Sequence, residues 1–203
     1  MSQCTLCLAL GDLKDRIENT PLLVTKNFVV LPALGPLAVG HVLVVSRSHL
    51  PSFAMLGREL LMEYEQLVHI ARSLPVYAEQ GLLEAEHGAT ALGSGGACID
   101  HAHINWIPSH SDKSRMFDGE LTQIRAITSL SDLAGLTEPY ILMRASANDG
   151  LVYSGAAVQS QLIRRRICSL DEREDWDWAV VPGFKSVEAT IELWHAERLH
   201  ERF

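Results

Sequence analysis

Positive charge is scarce in this 203-residue chain: 17 Lys and Arg stand against 25 Asp and Glu, a formal net charge of −8 with His neutral. A general nucleic-acid surface needs a basic face to displace counterions, so the deficit argues against one. Small anionic ligands stay open, because they respond to local charge. Cysteine is scarce too. Of the four present, only Cys4 and Cys7 are closely spaced, while Cys98 and Cys168 are isolated and make no second pair. A membrane-spanning run is also missing. Residues 28–45 contain no Asp, Glu, Lys or Arg, yet Pro32, Gly35, Pro36, Gly40 and His41 divide that stretch into two strands joined by a turn. No basic region with an apolar signal core opens the sequence, so a cytoplasmic protein with reduced thiols is expected, with no membrane partner. There is no internal repeat and no low-complexity tract.

What is present begins with a core: 47% hydrophobic residues suffice for one domain, alone or with a sizeable extension. The most informative stretch is 100–108, Asp-His-Ala-His-Ile-Asn-Trp-Ile-Pro. His101, His103 and Asn105 recur at every second position, so in a strand they share one face while Ala102, Ile104 and Trp106 enter the core. A merely solvated face would carry Thr, Lys or Glu there rather than two His in step. Just before it, Glu86-His87-Gly88 closes a strand, and residues 93–97 form a glycine-rich turn. Successive backbone N–H groups in such a turn can bind an anion, although a turn of this kind is often only a tight connection.

Leu56, Leu60, Tyr64, Leu67, Ala71 and Leu74 recur at helical spacing, with a break at Pro75 and Gly81 beyond it. Residues 111–137 read as a connection with one short helix. Asn148-Asp149-Gly150 is a hairpin signal, and Val158 to Ile167 and Val187 to Leu199 read as helices. Gln161, Arg164 and Arg165 share a helix face and could reach a phosphate together; a solvated basic face paired with the acids at 171–175 is the equal alternative. Trp176 and Trp178 read as an aromatic anchor for that helix. Cys4 and Cys7 have the gap that suits two thiolates on one tetrahedral metal ion, although the pair alone also fits a redox couple.

From Asn27-Phe-Val-Val-Leu-Pro through Gly40-His41 and Ser46-Arg47-Ser48-His49 to Glu86-His87-Gly88 and the histidine strand, the chain resembles the histidine triad superfamily of nucleotidyl hydrolases and transferases. Asn105 stands where most members have the third His of the motif; some branches have Gln there. The resemblance implies an α+β fold, an antiparallel sheet with a long packing helix, over residues 1–112. A C-terminal extension, 113–203, carries a hairpin and helices packed on the core or on a partner copy.

The resemblance further implies a nucleotidyl hydrolase or transferase acting on a nucleoside phosphate, of the purine AMP type, at the α-phosphorus. His103 would be the nucleophile and Asn105 a donor to the phosphoryl oxygens. Candidates for nucleotide and phosphate contact are His41, Gly95, Gly96, Asn27, Gln161 and Arg164. In zinc-binding members the ligands correspond to Cys4, Cys7, His49 and His101, a closed structural site. A homodimer is implied as well. The alternatives are a nucleotide phosphorylase, or a catalytically weak nucleotide-binding or regulatory protein.

Overall fold

The charge-free stretch forms two adjacent strands, as its Pro and Gly positions predict: β2 (Phe28–Pro32) and β3 (Val42–Ser46) pair antiparallel with Val30 opposite Val44. The computed structural model describes residues 4–11, 15–92 and 99–196. β1 (Leu23–Val24) borders β2. On the other side β3 pairs with β5 (His103–Pro108), and β5 pairs with β4 (Leu82–Gly88). β4 then pairs with β7 (Tyr140–Ser146), followed by β8 (Asp149–Ser154) and β6 (Gln123–Ile127). The result is one eight-stranded sheet in the order β1-β2-β3-β5-β4-β7-β8-β6, so strands from beyond residue 112 continue the sheet that carries the histidine strand.

Both faces are covered. Val44, Ile104, Trp106 and Leu142 pack beneath α2 (Arg58–Ala71) and α3 (Pro75–Gln80). On the opposite face, α1 (Thr5–Leu10) lies over Val29, Leu31 and Val45, and α4 (Leu162–Leu170) lies over Ala85, Ile107 and Met143. Strands covered on both sides show continuous apolar runs rather than alternation, which is why β2 is buried throughout. α5 (Phe184–Ala196) adds Trp194 to the first core, and its Thr190 hydroxyl accepts the Gly40 N–H at 2.9 Å. Among the described residues no helix is long and apolar enough to cross a membrane.

Several elements differ from their expected limits. Pro75 does not simply end the long helix: it opens α3, where its missing N–H costs nothing, and Gly81 at φ +84° closes it. The helix expected from Val158 starts at Leu162, because Ala157 and Gln161 hold positive φ and interrupt it. α5 begins at Phe184, and 197–199 lie outside the described residues. The connection at 111–137 contains a strand, β6, as well as a short 3-10 helix (Leu130–Leu133). β6 pairs on one side only and is half exposed, so it lacks the apolar alternation that would have marked it. Asp149 and Gly150 belong to β8, with the turn shifted to 147–148 and an irregular register between Arg144 and Ser146.

Two buried polar networks fix the strands that carry the site. Trp106 Nε1–H donates to the Tyr64 hydroxyl at 2.8 Å, and that hydroxyl donates to Glu84 at 2.7 Å. Glu84 also takes Arg144 at 2.9 Å and Arg72 at 2.7 Å, so the buried carboxylate is charge-compensated. In the second network, Glu86 accepts from the Tyr140 hydroxyl at 2.5 Å and from Phe53 N–H at 2.9 Å. A Cβ at position 88 would fall 2.2 Å from the Tyr140 ring, so only glycine lets that tyrosine reach Glu86.

Candidate active site

His103 opens β5, and its Nδ1–H donates to the backbone carbonyl of His101 at 2.6 Å. That bond sets the tautomer: in the neutral ring the lone pair lies on Nε2. Burial pushes the pKa of His103 down, against the pull of the His101 carbonyl, which favours the neutral form. The ring lines a cavity of about 280 Å³.

Asn105 lies two residues along the same face and lines the same cavity. Its orientation follows from a chain of bonds that starts in the turn before β3. Leu37 N–H donates to His41 Nδ1 at 3.1 Å, so a neutral His41 carries its proton on Nε2. That Nε2–H donates to Asn105 Oδ1 at 3.1 Å, which turns Asn105 Nδ2 toward the Ala85 carbonyl at 3.2 Å. One Nδ2 hydrogen is used there, and the second makes no hydrogen bond among the described residues. Complete burial pushes His41 down to about 3, the Arg164 charge adds to this, and the bond to Asn105 opposes it. The ring is therefore neutral across the physiological range.

The sheet supplies Leu31, Leu43 and Ile107 to the cavity wall, α1 supplies Leu6 and Ala9, and α4 supplies Leu162 and Ile163. Gln161 and Arg164 also line it, but each is engaged with the loop that follows α4. Gln161 donates to Asp177 at 3.1 Å, and Arg164 donates to the Trp176 carbonyl at 2.8 Å and to the Gly35 carbonyl. Arg165 turns away and stacks over the Trp176 ring at 3.8 Å. Trp178 itself faces the cavity.

Two expected contact residues are placed elsewhere. His41 does not line the cavity; it lies behind Asn105 and orients it. Asn27 is spent on Glu63, with its side chain at 2.5 Å and its backbone N–H at 3.1 Å, tying the β1–β2 turn to α2. Gly95, Gly96 and Cys98 lie outside the described residues. The cavity also holds polar residues that the sequence reading does not single out as site residues: Thr5, Arg16, Glu18, Asn19 and, on β4, His87. Ala85 pairs with Asn105, so continuing the antiparallel register places His87 beside His103. The signal was present in Glu86-His87-Gly88, but only the strand pairing shows its neighbour.

Cys4, Cys7, His49 and His101 converge next to this face, their ligand atoms all within 4.8 Å of one another. Cys7 Sγ is 3.1 Å from His49 Nδ1, and Cys4 and Cys7 lie 3.4 Å and 3.5 Å from His101 Nδ1. Tetrahedral coordination at the usual zinc–sulfur and zinc–nitrogen lengths puts ligand atoms roughly 3.3–3.8 Å apart, so the cluster could hold a metal ion. His101 Nε2–H donates to the Ser46 carbonyl at 2.7 Å, which leaves Nδ1 as the coordinating atom. The backbone of His101 is thus shared: its carbonyl orients His103 while its ring joins the cluster.

No family model and no curated protein matches the chain. Solved structures do resemble parts of it. A hypothetical histidine triad nucleotide-binding protein from Sulfolobus tokodaii strain7 is 22% identical, over 52% of this chain and 68% of that one, with a TM-score of 0.41. A HIT family hydrolase from Clostridium thermocellum is 17% identical, over 54% and 92%, at 0.41. A hypothetical protein from Leishmania major is 21% identical, over 55% and 76%, at 0.43.

Proposed function

We propose that the chain is a histidine triad enzyme, a nucleotidyl hydrolase or transferase that cleaves a nucleoside phosphate at the α-phosphorus through a nucleotidyl-His103 intermediate. The observation that carries the reading is the pairing of His103 with Asn105. One side chain offers a lone pair on Nε2, the other an oriented amide hydrogen, and both face one cavity. The volume of that cavity sits near the lower end of the range for small-molecule sites. Its apolar walls suit a nucleoside base, and the AMP type is the first choice.

Nε2 of His103 attacks phosphorus, the bond to the leaving group breaks, and the resulting imidazolium keeps its Nδ1–H on the His101 carbonyl. Asn105 Nδ2–H is aimed at the phosphoryl oxygens, where one preorganised donor is worth about 2.7–4 kcal/mol in the transition state. Water, phosphate or another acceptor then displaces His103. Zinc, held by Cys4, Cys7, His49 and His101, would have no open position and would serve structure, fixing the backbone that orients the nucleophile.

The proposal extends to a homodimer in the cytoplasm, with 1–112 as the catalytic unit and 113–203 as its extension. β4 and β7 pair within the chain, so copies joining edge to edge would use β1 or β6. The test is His103→Ala against a panel of nucleotidyl substrates. Turnover should vanish while nucleotide affinity stays within about tenfold, because the variant loses the covalent step and few ground-state contacts. Near-full activity in the variant would overturn the proposal.

A further inference from the structure

The pair at the site does not include a proton donor for the leaving group. The Asn105 amide has no titratable proton, and the single proton of His103 sits on Nδ1 against the His101 carbonyl. His41 is buried with both nitrogens occupied. An alkoxide departing from phosphorus needs a proton as its bond breaks, whereas a stable anion does not.

We propose that His87 is that general acid, a reading that rests on the nucleotidyl transfer assigned to His103. His87 lies on β4 beside the strand that carries His103 and Asn105, and all three line one cavity. Its Nε2 is buried and meets no hydrogen-bond partner among the described residues. A buried ring nitrogen left without a partner on a cavity wall is what a bound ligand would complete. Arg16, Glu18 and Arg164 are the other charged groups that line this cavity among the described residues. Ile141 of β7 is the cross-strand neighbour of His87 on one side, and the charged or titratable groups acting on His87 are His103 and Asp100.

Burial and the neighbouring His103 push the pKa of His87 down, while Asp100 pulls it up. In the free protein this favours the neutral ring. An anionic phosphate entering the cavity adds negative charge beside Nε2 and draws the ring toward the imidazolium, so substrate binding loads the acid. In the first step the His103 Nε2–phosphorus bond forms and the phosphorus–oxygen bond to the leaving group breaks. That electron pair takes the Nε2 proton of His87 and departs as a neutral alcohol. In the second step neutral His87 accepts a proton from the attacking water as the new phosphorus–oxygen bond forms and the phosphorus–nitrogen bond breaks. His103 is neutral again and His87 is again the imidazolium of the bound complex; the proton that His87 took from solvent on substrate binding returns to solvent as the product leaves.

The experiment uses two esters of one nucleoside monophosphate, a p-nitrophenyl ester and a methyl ester, and reads single-turnover formation of the protein adduct. His87→Gln, with His87→Asn in parallel, should slow the methyl ester about a hundredfold or more and the p-nitrophenyl ester by less than about fivefold. The parent should lose rate with rising pH on the methyl ester only, and the substitution should erase that difference. Equal slowing of both esters, or no slowing of either, overturns the assignment of His87. If the parent forms no adduct even with the p-nitrophenyl ester, the nucleotidyl-histidine reading fails and His87 falls with it.

Discussion

Replacing Asn105 with Leu removes two things that can be measured apart. The first is structural. Asn105 Oδ1 accepts from the buried His41 Nε2–H, and Nδ2 donates to the Ala85 carbonyl, so Leu strands a donor and an acceptor. Each buried group left unpaired costs roughly 1–3 kcal/mol. Asn105 is only half-buried, so the apolar area that Leu buries there recovers part of this at about 25 cal/mol per Å². A net loss of about 1–3 kcal/mol is expected, read as a shift of the urea midpoint at constant slope. The second effect is kinetic: losing one preorganised donor should lower kcat about 10²–10³-fold. Single-turnover rates at saturating substrate, measured where the variant is fully folded, isolate it from the stability loss. Asn105→His is the control, because an imidazole can accept from His41 on one nitrogen and donate to a phosphate with the other. It should stay within about tenfold of the parent and gain a pH dependence between about 5 and 8. A Leu variant with parental kcat would refute the role of the amide in the transition state.

Stability should respond to pH through two buried groups of opposite sign. Glu86, pushed up to about 8 by burial, keeps its proton in the folded chain when the unfolded chain, at its ordinary value of 4.5, has lost it; stability therefore falls as pH rises between these values, by roughly 1.4 kcal/mol per pH unit. His41, pushed down to about 3 from 6.5, does the reverse, so stability falls as pH drops through that window. The two oppose each other where the windows overlap, and the urea midpoint should decline on either side of it. Glu86→Gln should remove the alkaline decline and leave the acid one, and an unchanged alkaline limb would contradict the assignment. Purified, untagged protein should carry one zinc per chain by elemental analysis, and Cys7→Ala should lower Tm more than kcat. A folded chain with zinc well below stoichiometry would contradict the metal reading.

The parts of this molecule that were legible in its sequence are those written in local periodicity. The every-second-residue pattern of His103 and Asn105, the Pro and Gly breaks between β2 and β3, and the helical spacing around Tyr64 each depend on residues a few positions apart. The Cys4 and Cys7 spacing is equally local, and the fold brings His49 and His101 to it. What stayed hidden depends on register between distant strands. His41 lies 64 positions before the Asn105 it orients, and His87 acquires a neighbour only because β4 pairs with β5. Asn27 reads as available in the sequence because Glu63, its partner, lies on a helix whose placement over the β1–β2 turn no local pattern announces. β6 is hidden for a related reason: an edge strand paired on one side has little apolar alternation to show.

The central claim is that His103 Nε2 becomes covalently attached to a nucleotide. Its most direct test is intact-mass analysis of the protein mixed with a p-nitrophenyl nucleotidyl ester and quenched in denaturant at alkaline pH, where the phosphorus–nitrogen bond survives, followed by peptide mapping of any modified species at that pH. The account predicts a transient adduct one nucleotidyl group heavier than the chain, mapped to His103 and absent from His103→Ala. Turnover with no adduct at any time point, or an adduct that persists in His103→Ala, would contradict it.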